Sequence, residues 1–411
     1  MAAVRTRPRG RWRRRAALLV LAGSWLALCA PPGASAQTPV QPPNDPLFRF
    51  QWNLRTIQIP SAWAISRGAG ATVAVLDTGV AYENRGRYRQ APDLAGTRFV
   101  AGWDFVDDDP YPNDVPAPDG RRSHGTLMAA IIAQTTGNAI GAAGVAPAAA
   151  IMPVRVLRPD VTGPERGIAR GVRFATDHGA DVVNLSLSGR SSTPVLRQAI
   201  AYATRKGVTV VAAAGNEGQE AVSWPAADPR VIAVGAVGQD LTRAPYSNFG
   251  AALDLVAPGG AGERVDTGHG PSDGVVGQTL KGGLSDFCFC FTASTSAAAA
   301  QVSGVAALLV ASGRATGPAE VRRALLSSAR DLGVPGRDPD HGAGLVQALD
   351  ALDGGSAASR ESADAPASAP GERAATRDSE GISAAWIAAA AVVFAGAIAL
   401  VGRRFHRRSR M

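Results

Sequence analysis

The chain has 411 residues, 46% of them hydrophobic, with 47 glycines, three cysteines and a formal charge of +8. That composition suits one large buried core with short appendages and excludes both a disulfide-dense scaffold and a low-complexity chain. The basicity does not mark a nucleic-acid binder: seven arginines lie between Arg5 and Arg15 and five between Arg403 and Arg410, and without those twelve the rest of the chain is mildly acidic.

In chain order, the first arginine cluster precedes an apolar run, Ala16 to Cys29, and then Ala34-Ser35-Ala36. This is the layout of a secretory signal peptide over 1–36, cleaved after Ala36. Residues 37–70 lead into the main body, 71–350. Residues 351–381, rich in Ala, Ser, Pro and charge, read as a disordered stalk. Residues 382–401 are an uncharged stretch long enough to cross a bilayer, and the basic tail 402–411 would stay cytoplasmic under the positive-inside rule. The expected location is therefore the cell membrane, single-pass, with the body on the extracytoplasmic side.

Within the body, apolar β-rich runs at Thr72 to Leu76, Ile151 to Val156, Val182 to Leu187, Thr209 to Ala213 and Val231 to Ala236 read as strands covered on both faces. Between them, helical patterns fall at His124 to Ala133, Gly167 to His178, Pro194 to Arg205, Ser296 to Ser312 and Pro318 to Ser328. The alternation predicts a three-layer α/β fold: a mostly parallel sheet with helices on both faces. Cys288 and Cys290, one residue apart, read as packing thiols, because so short a loop argues against a mutual disulfide.

In such sheets reactive groups gather at the carboxyl edge. Asp77 follows the first strand, His124 opens a helix, Asn216 follows the strand ending at Ala213, and Ser296 opens the long small-residue helix. Taken singly, these are a turn acid, a helix-start histidine, a strand-terminating amide and an N-cap serine. Together they offer a carboxylate, an imidazole, an amide donor and a hydroxyl near a positive helix terminus, the set that acyl transfer needs.

The segments Val73-Ala74-Val75-Leu76-Asp77-Thr78-Gly79, His124-Gly125-Thr126, Asn184-Leu185-Ser186-Leu187, Ala213-Ala214-Gly215-Asn216, Asp254-Leu255-Val256-Ala257-Pro258-Gly259 and Thr295-Ser296 resemble the subtilisin-like serine proteases, or subtilases. The resemblance spans about Asn44 to Leu349. It implies a catalytic triad of Asp77, His124 and Ser296 with Asn216 in the oxyanion hole, and an extended peptide lying against Ser186, Leu187, Ser188, Gly189, Ala214 and Gly215. It also implies structural Ca2+ at Asp93 and Asn138, no cofactor being needed for the chemistry. Glu217 and Ser223 fall where the family builds its first specificity pocket. The acidic loop Asp104, Asp107, Asp108, Asp109 resembles a second calcium loop, although such loops are more often simply solvated.

Three departures stand out: Ser294 and Ser188 occupy positions where the family usually has glycine, and Ala300 one where it usually has proline. They motivate a rival reading, a catalytically weak or inactive protease-like scaffold of an envelope or secretion complex. An α/β-hydrolase esterase is disfavoured, since Ser303-Gly304 lacks the first glycine of a Gly-x-Ser-x-Gly elbow. Leader, protease-like body, stalk and terminal span together resemble the mycosins, an unrelated anchored subtilase being the equal alternative. That layout implies a protein or peptide substrate, a lipid bilayer and a secretion-machinery partner, and no nucleic acid.

Overall fold

The computed structural model describes residues 42–116, 122–261 and 273–354. The expected signal peptide, the terminal span, the basic tail and all of the stalk beyond Gly354 lie outside the described residues. The described strands are β1 (Thr72–Asp77), β2 (Arg98–Phe99), β3 (Trp103–Asp104), β4 (Ala150–Arg155), β5 (Val182–Leu185), β6 (Thr209–Ala213), β7 (Ile232–Val237), β8 (Leu255–Pro258), β9 (Val275–Leu280) and β10 (Phe287–Thr292). The described helices are α1 (Trp52–Thr56), α2 (Ile59–Ala62), α3 (His124–Ala133), α4 (Glu165–Asp177), α5 (Pro194–Arg205), α6 (Thr295–Ala311), α7 (Pro318–Ser327) and α8 (Ala348–Asp353).

Eight strands form one parallel sheet in the order β2-β4-β1-β5-β6-β7-β8, with β3 also pairing β4. Side chains alternate across it. Val73 and Val75 of β1 pack into one core with α3 and α6, whereas Ala74 and Leu76 pack into a second core with α4 and α5. The sheet is thus sandwiched between helical layers, as the near-continuous apolar runs require. Residues just before β1 join the first core: Leu54, Ile57, Ile59 and Ala62 are buried, and Asn53 donates to Gln301 of α6 at 3.0 Å.

Helix α6 runs under the first face of the sheet and is buried over 15 of its 17 residues, nearly all small. Small side chains let it approach closely; at Gly304 an added Cβ would meet Val145 at 2.6 Å. Two polar side chains, one on β5 and one just beyond its end, register it. Asn184 accepts from Ser303 at 2.9 Å, and the Ser186 hydroxyl donates to the Ser296 carbonyl at 3.0 Å.

Two expectations are corrected. The antiparallel pair β9–β10, absent from the predicted strands, packs on α3 and leads directly into α6. Cys288 and Cys290 are not packing thiols but a disulfide. Both lie on β10, where residues two apart share a face, and their Cα atoms are 5.5 Å apart, within the span a disulfide bridges.

Candidate active site

Because β1 alternates, Asp77 faces the layer that holds α3 and α6. It is fully buried, and both carboxylate oxygens approach Nδ1 of His124, at 2.8 and 2.9 Å. The backbone N–H of Thr78 donates to Oδ1 at 2.8 Å, fixing the carboxylate plane. Close approach of the two loops depends on glycine. At Gly125 a Cβ would sit 2.2 Å from the Gly79 carbonyl oxygen, and Gly79 itself holds φ +105° against Asn113.

Burial alone would depress the His124 imidazole. The charge and hydrogen bond of Asp77, joined by the charge of Asp114, outweigh it and leave the ring above its ordinary value. The His124 side chain is 21% exposed and lines a cavity of about 520 Å³ together with Ser186, Leu187, Ser188, Asn216, Ser294 and Ser296.

Ser296 is the second residue of α6, so its N–H is among those a first helical turn leaves without an intrahelical acceptor. Its hydroxyl donates to the Ser186 carbonyl at 3.3 Å; the bond expected to His124 is not made in this rotamer. The Asn216 Oδ1 accepts from the Thr295 N–H and hydroxyl at 2.8 and 2.9 Å, which leaves the amide NH2 for the cavity it lines. Thr295, which the sequence did not single out, therefore orients the amide.

Of the expected substrate edge, Ser186, Leu187 and Ser188 line the cavity, and β5 stops at Leu185, two residues short of the predicted strand end. Gly189 instead bridges Trp224 through two bonds of 2.7 and 2.9 Å. Ala214 and Gly215 accept from Ser223 and Asn248 behind Asn216. Glu217 and Ser223 are joined through the Asn248 amide, at 2.7 and 3.0 Å.

Comparison with known proteins decides the family. The Peptidase_S8 subtilase family matches residues 68–344. The chain belongs to the subtilase family. Thermitase from Thermoactinomyces vulgaris is 37% identical over 288 residues, which is 70% of this chain and 91% of the relative. Subtilisin BL from Lederbergia lenta is 36% identical over 298 residues, 72% of this chain and 96% of its own. Among solved structures, a protease from Pseudoalteromonas arctica PAMC 21717 superposes with a TM-score of 0.67 at 32% identity, covering 76% of this chain and 99% of that one. By class, this subtilase is a serine endopeptidase.

The departures near the subtilase nucleophile have physical accounts. Ser294 has φ −171°, extended backbone open to any residue, and its hydroxyl caps α6 by accepting from the Ala297 N–H at 3.2 Å. No glycine is needed there. Ala300 is fully buried within an unbroken helix, where a proline would remove a donor.

Around the expected calcium ligands, Asp93 is fully buried and accepts from Asn138 Nδ2 at 2.8 Å and from the Ala142 N–H at 3.2 Å. A second carboxylate, Asp45, accepts from the Gly137 and Asn138 N–H groups of the same loop. Burial pushes the Asp93 carboxyl up to about 7, with the Asp45 charge adding to the shift and the two hydrogen bonds opposing it. Two carboxylates converging on one loop fit a hard cation, although among the described residues no cluster of three or more His, Cys, Asp or Glu side chains occurs. The other acidic loop has its own counter-ion: Arg155 reaches Asp104 at 2.6 Å and Asp107 at 2.5 Å.

Proposed function

We propose that this subtilase hydrolyses extended polypeptide segments through an acyl-enzyme on Ser296, with His124 as general base and acid, Asp77 orienting it, and Asn216 with the Ser296 N–H as oxyanion donors. The Ser296 oxygen attacks the scissile carbonyl carbon while its proton passes to Nε2 of His124. The C–N bond then breaks as His124 returns that proton to the leaving amine, and water repeats the sequence to free the acid and the serine. The observation that carries this reading is the Asp77–His124 pair opening onto the same cavity as Ser296 and Asn216. It asks the Ser296 hydroxyl to leave the Ser186 carbonyl and turn toward the imidazole, which lines the same cavity. Ser294 acting as a helix cap gives one of the three departures behind the inactive-scaffold reading a structural role compatible with catalysis.

Substrate would lie along Leu187 and Ser188, whose backbone groups bond no described backbone partner and are available to an added strand. A fluorophosphonate probe tests the assignment: it should label Ser296 in the wild-type chain and nothing in Ser296→Ala. Labelling that persists in the variant would place the nucleophile elsewhere.

Export by the leader and anchoring through 382–401 complete the proposal, with the mycosin-like layout pointing to a partner in a secretion apparatus. Among the described residues no helix is long and apolar enough to cross a membrane, so support for anchoring comes from the sequence of the end segments alone. The full-length chain should remain in the bilayer fraction after alkaline carbonate washing, and a chain ending at residue 381 should be released. Release of the full-length chain would remove the anchor from the proposal.

Structural calcium at Asp93, Asn138 and Asp45 is the remaining part. A carboxyl raised from 3.8 to about 7 contributes stability below pH 3.8 that is lost as pH climbs through 7, because the fold must then hold an ion it solvates poorly. A cation replacing the proton reverses that penalty. Calcium at about 100 times its Kd at about pH 8 should therefore raise stability by about 2.7 kcal/mol, with the increment at that same concentration shrinking toward about pH 5 and vanishing in Asp93→Asn. Thermal melts with calcium and with chelator measure it, and identical melts would count against the site.

A further inference from the structure

The carboxylate of Asp114 has no place in the triad, yet it is buried to 1% exposure beside it and satisfied on both oxygens. Its Oδ1 accepts from the Thr78 hydroxyl and the Val115 N–H, each at 2.9 Å. Its Oδ2 accepts from the Thr126 N–H at 2.9 Å and the Thr126 hydroxyl at 2.6 Å. Thr78 directly follows Asp77, and Thr126 is the third residue of the helix that His124 opens. The two threonines continue the link, since Thr78 accepts from the Gly125 N–H at 2.9 Å and Thr126 from the Ala81 N–H at 3.0 Å. One carboxylate thus ties the loop behind Asp77 to the first turn behind His124.

Helix α3 also forgoes the cap its own sequence offers. Ser123, a favourable N-cap residue, makes no side-chain cap bond, and its hydroxyl finds no partner among the described residues. The Gly125 and Thr126 N–H groups are taken instead by Thr78 and Asp114, so the helix start is indexed to the Asp77 loop and not to the residue before it. Every donor to Asp114 is neutral, so its charge is balanced by no cation bonded to it among the described residues. Burial pushes this carboxyl up to about 6 in spite of those donors.

We propose that Asp114 is a positioning residue for His124: it locks the first turn of α3 to the loop carrying Asp77, and it sets a second negative charge toward the imidazolium that forms when Ser296 gives up its proton. This rests on the triad assignment above. The effect belongs to kcat, because the imidazolium exists in the transition state and not in the bound substrate.

The test is Asp114→Asn in the full-length chain, kept in detergent, with kcat counted per fluorophosphonate-titrated site so that lost folding is separated from lost rate. Removing the charge and placing an amide NH2 against existing donors should lower kcat roughly 10- to 100-fold with KM little changed. The acid limb of the kcat profile should also move to lower pH. The ionisable groups facing the Asp114 loop among the described residues include Asp77, His124, Asp109 through the Tyr111 N–H, Glu83 through Asn113, and Arg85 over the Tyr111 ring, and none of these is altered.

Thr126→Val, which keeps the shape and the N–H but deletes the hydroxyl, should give a smaller loss of the same kind. It carries the test if Asp114→Asn yields no titratable sites. Wild-type kcat per site and an unmoved acid limb, in Asp114→Asn or failing that in Thr126→Val, would overturn the proposal. A wild-type chain that takes no label would instead overturn the triad reading beneath it.

Discussion

Ser296→Ala is expected to lower kcat on the order of 10⁶-fold, the size of the loss when the serine of subtilisin is removed. Without the hydroxyl there is no acyl-enzyme, and the His124–Asp77 pair has no proton to accept. The Asn216 amide and the substrate edge remain, so catalysis should stay roughly 10³- to 10⁴-fold above water, with KM little altered. The fold should be indifferent to the change, since the lost side-chain bond is a single 3.3 Å contact to the Ser186 carbonyl. Steady-state kinetics on a peptide substrate, paired with a thermal melt, measures both. A variant that retains more than a few per cent of wild-type kcat would mean that another group attacks.

Asp77→Asn should cost roughly 10⁴-fold in kcat, through the tautomer of a neighbour and not through any contact with substrate. Both Asp77 oxygens face Nδ1 of His124, which keeps a proton on that nitrogen and leaves Nε2 free to accept one. An amide would turn its NH2 toward Nδ1 and drive the ring proton onto Nε2, the atom that must receive the serine proton. The same substitution has a signature in pH. Burial depresses the imidazole and the Asp77 charge raises it, so removing that charge lets burial prevail. Activity needs the neutral ring, so the acid limb of kcat/KM should lie above the usual histidine range in the wild type and shift to lower pH in Asp77→Asn. An acid limb that stays in place would show that Asp77 does not govern the ring.

The parallel sheet was legible because its strands, buried on both faces, are nearly unbroken apolar runs; β6 and the helices α3 and α5 begin and end where their patterns do. The hairpin was not. In Phe287-Cys288-Phe289-Cys290-Phe291, aromatic and sulfur side chains alternate, so both faces look apolar and the period of two is hidden. Strand β8 ends in Pro258, which argues against a central strand, and it lies at the sheet edge, where a missing N–H is tolerated. The same logic admits Pro153 within β4, between the residues that pair with β2 and those that pair with β3.

At the site, the residues of the triad and Asn216 could be read because each sits where a strand ends or a helix begins. Thr295, Asp45 and Asp114 could not. Their work is to orient another side chain or loop across a long stretch of sequence, and a single chain read end to end gives no signal of that. Asp114 lies in a loop without periodicity, ten residues before His124, and its partner Thr78 is another 36 residues upstream.

Arg155 changes what the environment can do to the edge of the sheet that carries Asp104. An ion drawn from solution leaves when its concentration falls or when a chelator competes for it. A guanidinium at the end of β4 is part of the polypeptide and does neither, and its register partner across the ladder is Asp77. The strand beside the reactive pair thus carries a counter-ion that no change in the surrounding mineral content can remove, whereas the calcium proposed at Asp93 would be lost with its source.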